Sequence, residues 1–293
     1  MRLPVDTHLP TGTAPTVPVG PMLSMYDPIF TGIDEMRAPV YLPMAYRNIL
    51  AAGEPGGGKS GLLQTIASHA ALADRTRLVL LDGKQVELGL YAPVADKFVG
   101  PDIADAIITL RRLQEMMNRR YTWLLRHGRR KIEPGDDVNT IVVIIDEIAY
   151  FSATVGTPQQ QQEFIALLRD LVARGRACGV IVIAATQRPS VDIIPKSMRD
   201  LFSYRAAFRC TSTGSSDIIL GDGWSGAGYT ATDIAPTSQG VCYLIAEGGL
   251  PRLIKVAYLT DDHIGHIVDH ALWTRDRHRP HGSTTPAAQG LAA

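Results

Sequence analysis

Short apolar runs bounded by turn residues recur along the chain: RNILAA (47–52), RLVLLD (77–82), TIVVIIDE (140–147), GVIVIAATQ (179–187), YRAAFRC (204–210), GVCYLIA (240–246) and RLIKVAYL (252–259). Runs of this length, rich in Val and Ile, read as strands buried on both faces, and helical patterns lie between the first four. That alternation predicts an α/β domain with a mainly parallel sheet flanked by helices. The last three runs lack long intervening helices, so the C-terminal edge of the sheet is expected to be antiparallel. No internal repeat of 20–50 residues is visible.

The ends of the chain read differently. Residues 1–21, MRLPVDTHLPTGTAPTVPVGP, are rich in Pro, Thr and Gly without periodicity and are expected to form a flexible leader. From Thr274 the sequence TRDRHRPHGSTTPAAQGLAA (274–293) reads as a disordered tail, leaving residues 22–273 as the folded domain. Within it, RRLQEMMNRRYTWLLRHGRRK (111–131) is a basic block with eight Arg or Lys and one Glu, while Leu110, Leu113, Met117, Leu124 and Leu125 form an apolar stripe at helical spacing. It reads chiefly as a solvated helix face, with contact to an acidic neighbour or to phosphates as the alternative.

Composition narrows the classes of function. The 293 residues are 45% hydrophobic, enough for a sizeable core. No apolar run approaches the ~20 residues that span a bilayer, and no basic-then-apolar signal opens the chain, so a cytoplasmic protein is expected, with any membrane association made through a partner. Cys178, Cys210 and Cys242 are odd in number and lack C-x-x-C spacing, which argues against a disulfide framework or a zinc site. A formal net charge of zero excludes a uniformly basic surface, although a local basic patch remains compatible.

The chemistry lies in three short stretches. In AAGEPGGGKSG, residues Gly53, Gly58, Lys59 and Ser60 fit G-x-x-x-x-G-K-[ST], preceded by the apolar NILAA and followed by GLLQTIASHAAL, read as an amphipathic helix. Gly53, Glu54, Pro55, Gly56, Gly57, Gly58, Lys59, Ser60 and Gly61 then form a loop whose backbone N–H groups cradle phosphates. Lys59 should reach the β and γ phosphates and Ser60 should ligate Mg²⁺. TIVVIIDE places Asp146 and Glu147 at a strand end, where Asp146 is expected to hold Mg²⁺ and Glu147 to polarise the attacking water. Gln187 ends the next strand, where a neutral amide can sense the γ-phosphate. A further strand in sequence between the P-loop and Asp146, and the Asp-Glu pair itself, mark the P-loop ATPases that carry an extra central strand. The absence of an [NT]-K-x-D guanine reader favours ATP.

At this point the residues resemble a family, the FtsK/SpoIIIE branch of the FtsK-HerA superfamily. RGRACGVIVIAATQRPSVDIIPKSMRDLFSYRAAFRCTSTGSSDIILGDGWSGAGY (174–229) is similar to that family's segment around ATQRPSVD, LLDGKQVELGLY (80–91) to its D-P-K-x-x-E-L-x-x-Y, and NRRYTWL to its E-R-R-Y helix. The resemblance runs from about Ile29 to about Ala257 and implies a RecA-like motor fold, a homohexameric ring and an ATP-driven double-stranded DNA translocase. By resemblance, Arg176 matches an arginine that reaches across the subunit interface, with Arg174, Arg205 and Arg209 as rivals, and Arg188, Lys196 and Arg199 fall in a loop that tracks DNA. Transmembrane helices and a winged-helix module of the full-length pattern are not seen here, implying a bare motor that works with a separate membrane or DNA-recognition partner. The family's common T-x-G-x-G-K-S loop is E-P-G-G-G-K-S here, which puts an acidic Glu54 beside the phosphates. DNA transfer or segregation, such as plasmid conjugation in the manner of actinobacterial transfer proteins, is the expected process. A secretion-type ATPase of the same superfamily moving a protein, and a nucleotide-binding scaffold without turnover, are the alternatives.

Overall fold

In the computed structural model, which describes residues 22–277, the two most apolar runs become strands buried at every residue, β6 (Thr140–Ile145) and β7 (Val180–Thr186). They lie side by side inside a ten-stranded sheet. The other strands are β1 (Ile29–Asp34), β2 (Pro39–Leu42), β3 (Ile49–Ala52), β4 (Thr76–Leu81), β5 (Lys97–Val99), β8 (Tyr204–Phe208), β9 (Val241–Ala246) and β10 (Arg252–Val256). Their order is β2-β1-β10-β9-β8-β3-β7-β6-β4-β5. From β8 to β5 every pairing is parallel. From β8 through β9, β10 and β1 to β2 every pairing is antiparallel. The parallel body and antiparallel edge match the sequence expectation. The hairpin β1–β2 and the short β5 were not among the predicted runs.

Strand pleating divides the core. Ile49, Ala51, Leu78, Leu80, Val142 and Ile144 face one helical layer, made of α1 (Lys59–Leu72) and α6 (Asp261–Arg277). Their sequence neighbours Leu50, Val79, Leu81, Val143 and Ile145 face the other, made of α2 (Ile103–Arg126) and α3 (Pro158–Arg174). A short α4 (Lys196–Arg199) precedes β8, and a smaller cluster packs α5 (Thr213–Leu220) against Ala52, Ala207 and Ile245.

Three expectations need correction. First, α1 is buried nearly all round, with Leu62, Leu63, Ile66, Ala67, Ala70 and Ala71 in the core, because α6 covers its outer side through Ile264, Val268 and Ala271. It is a covered core helix and carries no polar face. Its buried Ser68 hydroxyl is satisfied by Tyr91 Oη at 2.7 Å. Second, Leu125 is 81% exposed, one position round the helix from the buried stripe of Leu110, Leu113, Met117 and Leu124. Third, α6 continues through Thr274, which is buried, to Arg277, so the first residues assigned to a tail are helical. Residues 1–21 and 278–293, where the leader and the rest of the tail were expected, lie outside the described residues.

Local signals account for the helix starts. The Asp102 carboxylate accepts the Ala104 N–H at α2, and Thr157 with Gln160 forms a capping box ahead of Pro158 at α3. Cys178, Cys210 and Cys242 are all buried and free.

Candidate functional site

Two of the loop glycines are fixed by geometry. Gly53 leaves β3 at φ 150°, where a Cβ would sit 2.7 Å from the Phe208 side chain. Gly58 enters α1 at φ 95°, where a Cβ would fall 2.2 Å from the Gly240 nitrogen. Only glycine tolerates both the conformation and the contact. No side chain caps α1, so its first-turn N–H groups and the positive end of its dipole face the loop. Lys59 is 7% exposed and its Nζ donates to the carbonyls of Gly53 at 2.6 Å and Glu54 at 3.0 Å. Burial lowers its pKa, so a polyanion in the loop would find a poorly hydrated cation. Ser60 is half-buried in the same turn.

The Asp-Glu pair emerges at the same end of the sheet. Asp146 is buried, and its Oδ2 has no hydrogen-bond partner. Desolvation first, then the nearby Asp82, Glu87 and Glu147, push its pKa up to about 7. Such an oxygen is suited to a cation. Among the described residues no group of three or more His, Cys, Asp or Glu is placed to hold a metal ion. A divalent ion here would therefore draw most of its oxygens from phosphate and water, with Ser60 and Asp146 as the protein's share, the usual arrangement for Mg²⁺.

Glu147 is buried and oriented by donors. Its Oε1 accepts from Thr186 Oγ1 at 2.6 Å and the Ala149 N–H at 3.0 Å; its Oε2 accepts the Gln187 N–H at 2.7 Å. Oε2 thus keeps a lone pair able to take a proton from water. The structure brings Glu147 and Gln187 together by placing β7 beside β6. β7 also separates the P-loop strand β3 from β6, which is the extra central strand expected. Sequence reasoning did not single out Thr186 or Asp82. Asp82 follows an apolar run just as Asp146 does, and its carboxylate accepts the N–H groups of Lys84, Gln85 and Leu88.

The arginines separate clearly. Arg176 precedes β7 and so lies at the sheet end opposite the P-loop. It is exposed, and its Nε donates to the Tyr46 carbonyl at 2.6 Å. With Arg129, Arg130 and Lys131 it lines an open basic cleft of about 730 Å³. Arg174 is held by Asp170 and Asn118, Arg209 pairs with Glu54 at 3.2 Å, and Arg205 is half-buried with its pKa lowered by desolvation. In the loop after β7, Arg188 is exposed and Lys196 pairs with Asp222 at 3.0 Å. Arg199 differs from its expected role as a DNA contact: it is buried and donates through Nη1 to the Ile218 carbonyl near the end of α5. That bond ties the loop to α5 and withdraws the guanidinium from the surface. In the basic block, Arg120 is likewise buried, donating to the carbonyls of Cys178 at 2.6 Å and Asn139 at 2.7 Å.

The model of the FtsK/SpoIIIE family matches residues 16–140, a span that contains the P-loop and ends before Asp146. The chain carries an FtsK/SpoIIIE-family domain. Similarity to curated DNA translocases of that family extends further. FtsK of Helicobacter pylori is 32% identical over 238 residues, 76% of this chain and 26% of that protein. SftA of Bacillus subtilis is 30% identical over 242 residues, 75% of this chain and 24% of that protein. FtsK 2 of Ralstonia nicotianae is 28% identical over 272 residues, 81% of this chain and 33% of that protein. The chain thus spans a third or less of these relatives.

Among solved structures, the pCW3 conjugation coupling protein TcpA, in a monomer form with ATPγS, matches with a TM-score of 0.73 at 21% identity over 84% of this chain and 70% of that one. The cytoplasmic domain of the type VII secretion ATPase EccC of Thermomonospora curvata matches with a TM-score of 0.66 at 21% identity over 87% of this chain and 32% of that one. At these identities the likeness shows the fold alone. Among the described residues no helix is long and apolar enough to cross a membrane.

Proposed function

We propose that this chain is an ATP-driven double-stranded DNA translocase that works as a homohexameric ring in DNA transfer or segregation. The hydrolytic part is carried by one observation: Glu147, oriented by Thr186 and Gln187, stands at the same sheet end as the phosphate-binding loop. In this reading Lys59 leaves its loop carbonyls to bind the β and γ phosphates, and the loop N–H groups hold the rest of the polyphosphate. Ser60 and Asp146 would hold Mg²⁺, which would neutralise phosphate charge. Glu147 takes a proton from the attacking water at Oε2, and the Gln187 amide is assigned to sensing the γ-phosphate.

Arg176 acts on a neighbour, because its own P-loop lies at the other end of the sheet. Arg174 and Arg209 are poorer candidates for that role, since each is paired with an acid of its own chain. DNA as the load is argued from the curated relatives, all named DNA translocases. Arg188 and Lys196, exposed at the sheet end that carries the active site, are proposed to touch its backbone. A membrane or DNA-recognition partner would come from outside the residues described.

The test is ATP turnover measured without DNA, with single-stranded DNA and with duplex DNA. Stimulation by duplex is expected, and Arg188→Ala with Lys196→Ala should reduce it. Turnover indifferent to any DNA would exclude the reading and favour a protein-moving ATPase of the secretion type. Absence of turnover altogether would favour a non-hydrolysing scaffold.

A further inference from the structure

The P-loop of this chain carries a negative charge, and the structure shows what meets it. Glu54, immediately after Gly53, places its Oε2 3.2 Å from Arg209 Nη2, with both side chains about three-quarters buried. The pairing is built in at the backbone as well: the Glu54 N–H donates to the Arg209 carbonyl at 2.9 Å. The preceding Phe208 lies under Gly53 and Gly57, so the end of β8 and the loop pack as one unit. Lys59 Nζ donates to the Glu54 main-chain carbonyl at 3.0 Å, so the residue that carries the acid also touches the ammonium expected to bind phosphate.

A carboxylate in this position opposes a polyphosphate, in a loop whose backbone otherwise concentrates positive potential. A guanidinium that is largely desolvated and already fixed offers the opposite field at little entropic cost. Arg209 is one of the four arginines that the family resemblance offers for action across a subunit interface. Its geometry instead turns it towards the phosphate loop of its own chain.

We propose that Glu54 and Arg209 form a charge-compensating pair within the nucleotide site: Arg209 supplies a cation to a bound nucleoside polyphosphate in cis, and Glu54 positions that cation while restraining the affinity. Glu54 and the incoming phosphates compete for the same guanidinium, so the pair sets how tightly nucleotide is held. The proposal rests on the reading of this loop as a nucleotide site.

Equilibrium binding of ATP and ADP to the full chain, followed with a fluorescent nucleotide and competition, tests it. Glu54→Gln should tighten binding and Arg209→Gln should weaken it, each by roughly tenfold, with the double variant between the two. Arg209→Lys should retain most of the affinity, and Arg209→Gln should flatten its dependence on salt. Urea melts of each variant separate binding from folding. If wild type binds and the two single variants leave affinity unchanged, or shift it in the same direction, the pair has only a structural role and the proposal is wrong. If wild type binds no nucleotide, the site reading fails and this inference falls with it.

Discussion

Glu147 can act as a base only while its carboxylate points at the water, and the Thr186 hydroxyl at 2.6 Å is the shortest of the contacts holding it there. Thr186→Ala should lower kcat for ATP roughly tenfold while changing KM little, because ground-state phosphate binding does not use Thr186. Thr186→Ser, which keeps the hydroxyl, should recover most of the rate; equal losses in both variants would assign Thr186 to packing alone. A histidine away from the site bears on stability. His69 is partly buried against the Ser24 carbonyl at 2.9 Å, and desolvation lowers its pKa below 6.5. The unfolded chain therefore takes up this proton first, so stability present above 6.5 is lost as pH falls through the folded value. Between about pH 8 and about pH 5.5 the Tm of wild type should fall further than that of His69→Gln, a difference that cancels other titrations. At this scale the placement of Lys59, Ser60, Asp146, Glu147 and Gln187 at one end of the sheet was legible, since each is marked by a few neighbours in sequence. Thr186 and Arg209 were not, because their partners Glu147 and Glu54 are distant in the chain and only the sheet brings them close.

Helices were legible where one face is wet and misread where tertiary neighbours cover both faces. The 3.6 period of α2 picked out Leu110, Leu113, Met117 and Leu124, and added Leu125 one position too far round. Leu113→Ala should cost about 2 to 5 kcal/mol in urea unfolding, whereas Leu125→Ala should fall within about 0.5 kcal/mol of wild type. α1 misled for the opposite reason: α6, distant in sequence, seals the side that a local pattern leaves to solvent. The loop after β7 shows the same limit for charge. Arg199 and Lys196 read alike in sequence, yet Arg199 is buried on the Ile218 carbonyl and Lys196 pairs with Asp222 in solvent. Removing Arg199 leaves that carbonyl unpaired, so Arg199→Ala should cost about 1 to 3 kcal/mol, and Lys196→Ala under about 1 kcal/mol. Chemical denaturation of the two variants separates these roles without reference to DNA.

Across the whole molecule, the parallel body and the antiparallel C-terminal edge were legible because connection length dictates strand direction. An extra central strand was expected from the Asp-Glu pair, but not which one; β7, between β3 and β6, takes that place. The hairpin β1–β2 was not legible, since β1 pairs with β10 from the far end of the chain and the two strands mix buried and exposed positions over few residues. This topology also sets what a single subunit can do. The P-loop follows β3 and Arg176 precedes β7, and the two strands run parallel, so the phosphate cradle and Arg176 stand at opposite ends of the sheet. If Arg176 serves hydrolysis, it must serve a neighbour's site. Lys59→Ala should then be inactive through its own cradle while presenting an intact Arg176, and Arg176→Ala the reverse. Mixing the two inactive variants in equal amounts rebuilds interfaces that join a sound cradle to a sound arginine, about a quarter of all interfaces under random assembly. Turnover in the mixture should rise well above that of either variant alone. A mixture no more active than its components would place Arg176 outside the reaction and return the basic cleft beside Tyr46 to an ordinary surface.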